Sequence, residues 1–192
     1  NIVHSNNYYN LLGYLASSYL SIPHVVHVRS LPTSHPWIFS RLWIELANRF
    51  ADIYVAMSKT IIKRTIMQKR PILIYDKMHL INKPKDIRMS NDKVKIAYFA
   101  NYVRPKGHIR GIIAAKNLIE SGIYNFKLDF FGSTFDNKKH INYKYELRDI
   151  ITLMNLTRNV EIHDSVSNVH EKIVEYDICL NLSDAESFCL SA

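Results

Sequence analysis

The chain has 192 residues, with 25 Lys plus Arg against 17 Asp plus Glu, a formal net charge of +8, and 47% hydrophobic and 11% aromatic residues. That supports a real core in one ordinary domain or two small ones. It argues against membrane spans, because apolar runs such as Ile96 to Ala100 are short and soon interrupted.

Only Cys179 and Cys189 are available, so a disulfide scaffold is not expected and a reducing cytosol is the simpler home. No segment reads as a secretory signal. The positive charge fits either solvated faces rich in Lys or peripheral contact with an anionic membrane, where each well-placed Lys or Arg contributes about 1 kcal/mol. No dense basic run or basic stripe interleaved with aromatics is present, so nucleic acid is not the expected partner.

Asn1 to His4 reads as a strand end, as in the middle of a longer protein. Tyr8, Leu11, Leu12, Leu15 and Tyr19 recur at helical spacing, which predicts a helix from about Asn7 to Leu20. Pro23 precedes a β-branched strand, His24 to Val28. A Pro-containing loop leads to a second helix starting near Trp37, then to the strand Asp52 to Met57. Ser58 is placed to cap a helix from Lys59, and Pro71 to Tyr75 reads as another short strand.

Asp76 to Asp92 is polar, and a linker is expected at 81–93, between lobes at 1–80 and 94–192. A second β-α-β series follows: strand Val94 to Ala100, helix Gly107 to Ser121, strand Phe126 to Phe131, helix from about Lys144 to Met154. Strand Val160 to His163, helix Val169 to Tyr176 and a strand ending at Leu182 complete it. Alternating strands and helices predict α/β architecture with parallel sheets covered by helices. Two such series predict two lobes with a cleft between them.

Two local patterns carry chemistry. Lys106-Gly107 follows a strand and opens a helix, so an ammonium sits beside free backbone N–H groups, a pairing suited to a diphosphate. Glu186 follows the strand ending at Leu182, at the strand end where open α/β sheets bind ligands. His24 and His27, three apart on a strand, point to opposite faces and make no metal pair.

In order, Ala56-Met57-Ser58-Lys59, Ala97 to Asn101 with Lys106-Gly107, Phe130-Phe131-Gly132, and Ser183 to Phe188 resemble the motifs of retaining glycosyltransferases of family 4. Those enzymes use nucleotide sugars and have the GT-B fold of two facing Rossmann-like lobes, which implies that 1–80 is the second half of the N-terminal acceptor-binding lobe and 94–192 the first part of the C-terminal nucleotide-sugar-binding lobe, both incomplete. The resemblance spans nearly the whole chain. It implies transfer of a sugar from a nucleoside-diphosphate donor to an acceptor hydroxyl, with no obligatory metal or other cofactor. Lys106 would meet the donor diphosphate. Glu186 would match the first glutamate of an E-x7-E motif and hold donor-sugar hydroxyls, with Ser187, Phe188, Cys189 and Leu190 lining diphosphate or sugar. The second glutamate would fall at 186 + 8 = 194, beyond Ala192.

The family's Gly-Arg pair is replaced here by Ala100-Asn101, and Arg104 is the nearby cation that would substitute. Gly107, Gly132, Ser133 and Val166 resemble further donor-side positions, Val166 near the base. Arg29, with His27 on the same strand face, stands where relatives carry a cleft histidine. A glycan or lipid-linked acceptor and a cytoplasmic, membrane-peripheral location follow from the same resemblance. The rivals are a nucleotide-sugar epimerase and a non-catalytic nucleotide-sugar-binding fragment.

Overall fold

The structure is a computed structural model and describes residues 1–32, 36–65, 67–76 and 93–184. These fall into two compact units, each built on a parallel sheet of four strands.

The first unit holds β1 (Val3–Asn6), α1 (Leu11–Leu20), β2 (His24–Val28), α2 (Trp37–Phe50), β3 (Ile53–Ala56), α3 (Lys59–Arg64) and β4 (Ile72–Leu73), with strands side by side in chain order. β2 buries His24, Val26 and Val28 and leaves Val25 and His27 half-exposed on the opposite face. The two histidines therefore diverge, as the period of a strand requires. Tyr8, Tyr14, Val26, Tyr54 and Ile61 lead the core. Asn10 caps α1 by accepting from the Gly13 N–H, and Ser58 caps α3 by accepting from the Ile61 N–H.

The second unit holds β5 (Val94–Phe99), α4 (His108–Glu120), β6 (Phe126–Phe131), α5 (Lys138–Leu153), β7 (Val160–His163), α6 (Val169–Lys172) and β8 (Ile178–Cys179). Its strand order is β7-β6-β5-β8. The chain therefore steps outward from β5 through β6 to β7, then returns to pair β8 with the other side of β5. Ile96, Tyr98, Leu128 and Phe130 form one wall of the core, against Ile112 and Ala115 of α4 and Tyr143, Leu147 and Ile151 of α5. On the opposite sheet face Phe99, Phe131 and His163 stack in a row, with centroids 5.1 and 4.6 Å apart. The buried Asp129 carboxylate on that face accepts from His163 Nε2 at 3.0 Å and from the Tyr176 hydroxyl at 2.9 Å.

Several elements differ from the sequence expectation: α1 begins at Leu11 rather than near Asn7, β4 covers only Ile72–Leu73, and α6 ends at Lys172 and passes into a 3-10 turn, Ile173–Glu175. α5 begins six residues before Lys144, because Asn137 caps it through the Lys139 N–H. The last strand is only two residues long, although the Leu180 N–H still bonds to Ala97 O at 2.8 Å before the chain turns away.

His108, the first residue of α4, is fully buried among the rings of Tyr98, Tyr102, Phe130 and Tyr143, at 5.1 to 5.9 Å. Its Nε2–H donates to Ala100 O at 3.3 Å. Burial lowers its pKa from 6.5 to about 4; the Ala100 carbonyl opposes that shift and the Lys106 charge adds to it. Between those pH values the unfolded chain binds a proton that the folded chain refuses. Stability is thus full above pH 6.5 and falls as pH drops toward 4, by about 3 kcal/mol from this group alone. His108→Phe, which keeps the ring cage, is expected to flatten the acid limb. Urea unfolding from pH 7 to pH 4.5 should show its slope reduced by about one proton relative to wild type.

Candidate functional site

The site is built from the loops at the carboxyl ends of β5, β6, β7 and β8. Leaving β5, the chain is tied to the end of β6: Ala100 N donates to Phe131 O at 2.8 Å, Tyr102 N to Ser133 O at 3.0 Å, and Ser133 N to Asn101 Oδ1 at 3.2 Å. Asn101 and Ser133 thus meet across the strand ends. Arg104–Lys106 then forms a single 3-10 turn, started by Pro105 and closed by Gly107 at φ 71°. The Tyr98 hydroxyl donates to the Lys106 carbonyl at 2.6 Å from below. The half-buried Lys106 is therefore carried on a turn fixed at both ends, one residue before α4 begins.

The chain leaving β8 docks onto that turn. Asp184 N donates to Pro105 O at 2.9 Å, and the Ser183 hydroxyl lies 3.2 Å from the Tyr98 phenol oxygen. Arg110, in the first turn of α4, donates to Leu182 O at 2.9 Å and pairs with the Asp184 carboxylate. A Cβ on Gly107 would stand 2.2 Å from Leu182 O, so only glycine permits this approach. The segment that continues to Glu186 is in this way held against the Lys106-Gly107 turn, over the point where strand order reverses between β5 and β8. Open α/β sheets bind ligands outside the strand ends at such a reversal.

The other predicted residues divide. Arg104 points to α5, pairing with Glu146 at 2.6 Å and lying 5.0 Å over the Tyr143 ring. There it lines a pocket of about 310 Å³ together with Val103, Lys139 and His140. Gly132 is required by packing, because a Cβ would fall 2.1 Å from Ala100 O. Val166 lies in the turn after β7, two residues from Asp164, whose pairing with the buried Lys144 holds its carboxyl below the usual range. Glu186, Ser187, Phe188, Cys189 and Leu190 lie outside the described residues.

In the first unit, Arg29 grips the Asp76 carboxylate with both terminal nitrogens, and one of these bonds measures 3.0 Å. His27 Nε2 is buried with no hydrogen-bond partner among the described residues. Burial depresses the His27 pKa, with Arg29 and His4 acting in the same direction. Among the described residues, Asp129, Glu161 and His163 have ligand atoms within 4.8 Å of one another. Those atoms are engaged in the His163–Asp129 and Lys127–Glu161 pairs.

No family model and no curated protein matches the sequence. Solved structures do match. HepE from Anabaena, in complex with UDP and glucose, aligns with TM-score 0.78 over 97% of this chain and 54% of its own, at 20% identity. The fold is that of the GT-B glycosyltransferases. Sucrose-phosphate synthase from Thermosynechococcus elongatus aligns with TM-score 0.70 over 100% of this chain and 52% of its own, at 15% identity. The pneumococcal O-GlcNAc transferase GtfA, in complex with UDP and GlcNAc, aligns with TM-score 0.66 over 99% of this chain and 38% of its own, at 13% identity. This GT-B chain thus spans about half the length of HepE. At these identities the likeness is one of fold, and no helix among its described residues is long and apolar enough to cross a membrane.

Sequence reasoning singled out Lys106 and Gly107 and did not single out Tyr98, Arg110 and Asp184, which the structure places at the same corner. The available signal was a cation in a helix first turn that has no acidic residue, which leaves its counter-charge to come from elsewhere. Gly107→Ala is expected to drive Leu182 off the turn and to cost about 2 kcal/mol or more from strain and lost contacts. A lower urea midpoint at unchanged m-value would register it.

Proposed function

We propose that this GT-B chain is part of a retaining glycosyltransferase that moves a sugar from a nucleoside-diphosphate donor to an acceptor hydroxyl. The observation that carries the reading is the docking of the Leu182–Asp184 segment onto the Lys106-Gly107 turn at the strand-order reversal. It brings an ammonium, the amides opening a helix of 13 residues and the approach to Glu186 to one corner of one sheet.

In this reading the bond between the anomeric carbon and the diphosphate oxygen breaks, and a bond from that carbon to the acceptor oxygen forms on the same face. The acceptor hydroxyl passes its proton to the departing diphosphate oxygen. Lys106 and the amides at the start of α4 stabilise the charge that develops on the leaving diphosphate. Glu186 accepts hydrogen bonds from the sugar hydroxyls and holds the anomeric carbon towards the acceptor oxygen. Asn101, where the resemblance leads one to look for an arginine, bonds to Ser133 and shapes the loop. Lys106 is then the main point charge on the diphosphate, and no metal is needed for that task.

The complexes of HepE with UDP and UDP-glucose make a uridine nucleotide the first donor to test. A net charge of +8 suits a cytoplasmic enzyme working beside an anionic membrane on a glycan or lipid-linked acceptor.

Titration with UDP, GDP and their glucose conjugates tests the assignment. Lys106→Ala should weaken binding of the preferred nucleoside diphosphate roughly 10- to 100-fold, the loss expected for charged hydrogen bonds. Glu186→Gln should lower kcat at least tenfold while leaving affinity for the free diphosphate nearly unchanged. Equal affinity of wild type and Lys106→Ala would refute the diphosphate role.

A further inference from the structure

We infer that Arg110 is a positioning residue: through Leu182 O and Asp184 it latches the segment leading into Glu186 onto the helix start that holds the donor diphosphate. The inference rests on the glycosyltransferase reading above, and nothing in the resemblance to that family assigns Arg110 a role.

The geometry is specific. One terminal nitrogen of the guanidinium donates to the Leu182 carbonyl at 2.9 Å, and the other pairs with the Asp184 carboxylate. The same guanidinium lies 3.2 Å from where a Gly107 Cβ would be, so it sits directly beside the turn. Residues 182 and 184 are thus fixed by one planar group, and the Asp184 N–H is fixed by Pro105 O. Three attachments in three residues fix the chain as far as Asp184, two positions before Glu186.

The charge arrangement also calls for a partner. Arg110 occupies the first turn of α4, whose dipole disfavours cations, and that turn carries no acidic residue of its own. Asp184 supplies the missing carboxylate across a sequence separation of 74. Both side chains are about half exposed, so the pair itself contributes little to folding stability. Its effect is on geometry. Lysine cannot replace it, because an ammonium lacks the planar fork that reaches two acceptors at once.

The distinction from a diphosphate ligand is measurable. If Arg110 positions the approach to Glu186, its loss removes the part of donor affinity contributed by the sugar and spares the part contributed by the nucleotide. Affinities for the free nucleoside diphosphate and for its glucose conjugate would be measured for wild type, Arg110→Ala, Arg110→Lys and Asp184→Asn. Hydrogen exchange would be followed across residues 178–192.

The expected result is that all three variants bind the nucleoside diphosphate within about twofold of wild type. They should lose roughly tenfold in the preference for the sugar conjugate, one hydrogen-bonded contact's worth, and exchange faster across 178–192. Asp184→Asn, which preserves shape, guards against reading a folding defect as an effect on the latch. Equal losses for both ligands would make Arg110 a diphosphate ligand and overturn the inference. Unchanged sugar preference and unchanged exchange would overturn it as well. If wild type binds no nucleoside diphosphate, the glycosyltransferase reading itself falls, while faster exchange in the variants would still report the clasp.

Discussion

The site depends on one close approach: the Leu182 carbonyl passes so near Gly107 that a single methyl group there would meet it at 2.2 Å. Everything at the corner follows from that approach. The left-handed φ of 71° at Gly107 ends the Arg104–Lys106 turn and starts α4 in one residue, which aims the helix amides outward. The phenol of Tyr98 then joins both sides, donating to the Lys106 carbonyl and meeting the Ser183 hydroxyl. A strand from the middle of the sheet and a strand from its edge therefore share one floor.

Electrostatics at this corner is arranged by burial as much as by charge. His108 lies directly under the turn, but its ring cage keeps it neutral well below physiological pH. His108 thus adds no positive charge beside Lys106. Arg104 is drawn toward Glu146 and Tyr143, and Arg110 is matched by Asp184. Arg104 and Arg110 are each held in a defined direction by a carboxylate. The positive charge at this corner is therefore an oriented field rather than a diffuse patch.

Much of this was legible in the residues. The strands His24–Val28, Phe126–Phe131 and Val160–His163 stand where their apolar and β-branched runs put them, because such side chains pack well on a pleated, half-buried surface. Ser58 caps as its position suggested. The start of α5 was not legible: Lys138, Lys139 and His140 offer no apolar period, and only the Asn137 cap marks the boundary. Lys106-Gly107 was readable because strand, turn and helix are contiguous. Arg110 was not, since an arginine on a helix surface looks solvated until its partner, 74 residues away, is placed beside it. Arg29 shows the same limit, its Asp76 partner lying 47 residues on.

That separation also has a temporal side. At about 5 to 20 residues per second, synthesis of the intervening 74 residues takes roughly 4 to 15 seconds. Through that interval the nascent β5–α4 unit exists with its guanidinium uncompensated and its glycine corner open. Edge-strand addition of β8 is then a late, non-local event of the kind that slows folding. A newborn chain would carry a formed core before it carries a closed corner, so competence to hold a ligand should trail compaction rather than accompany it.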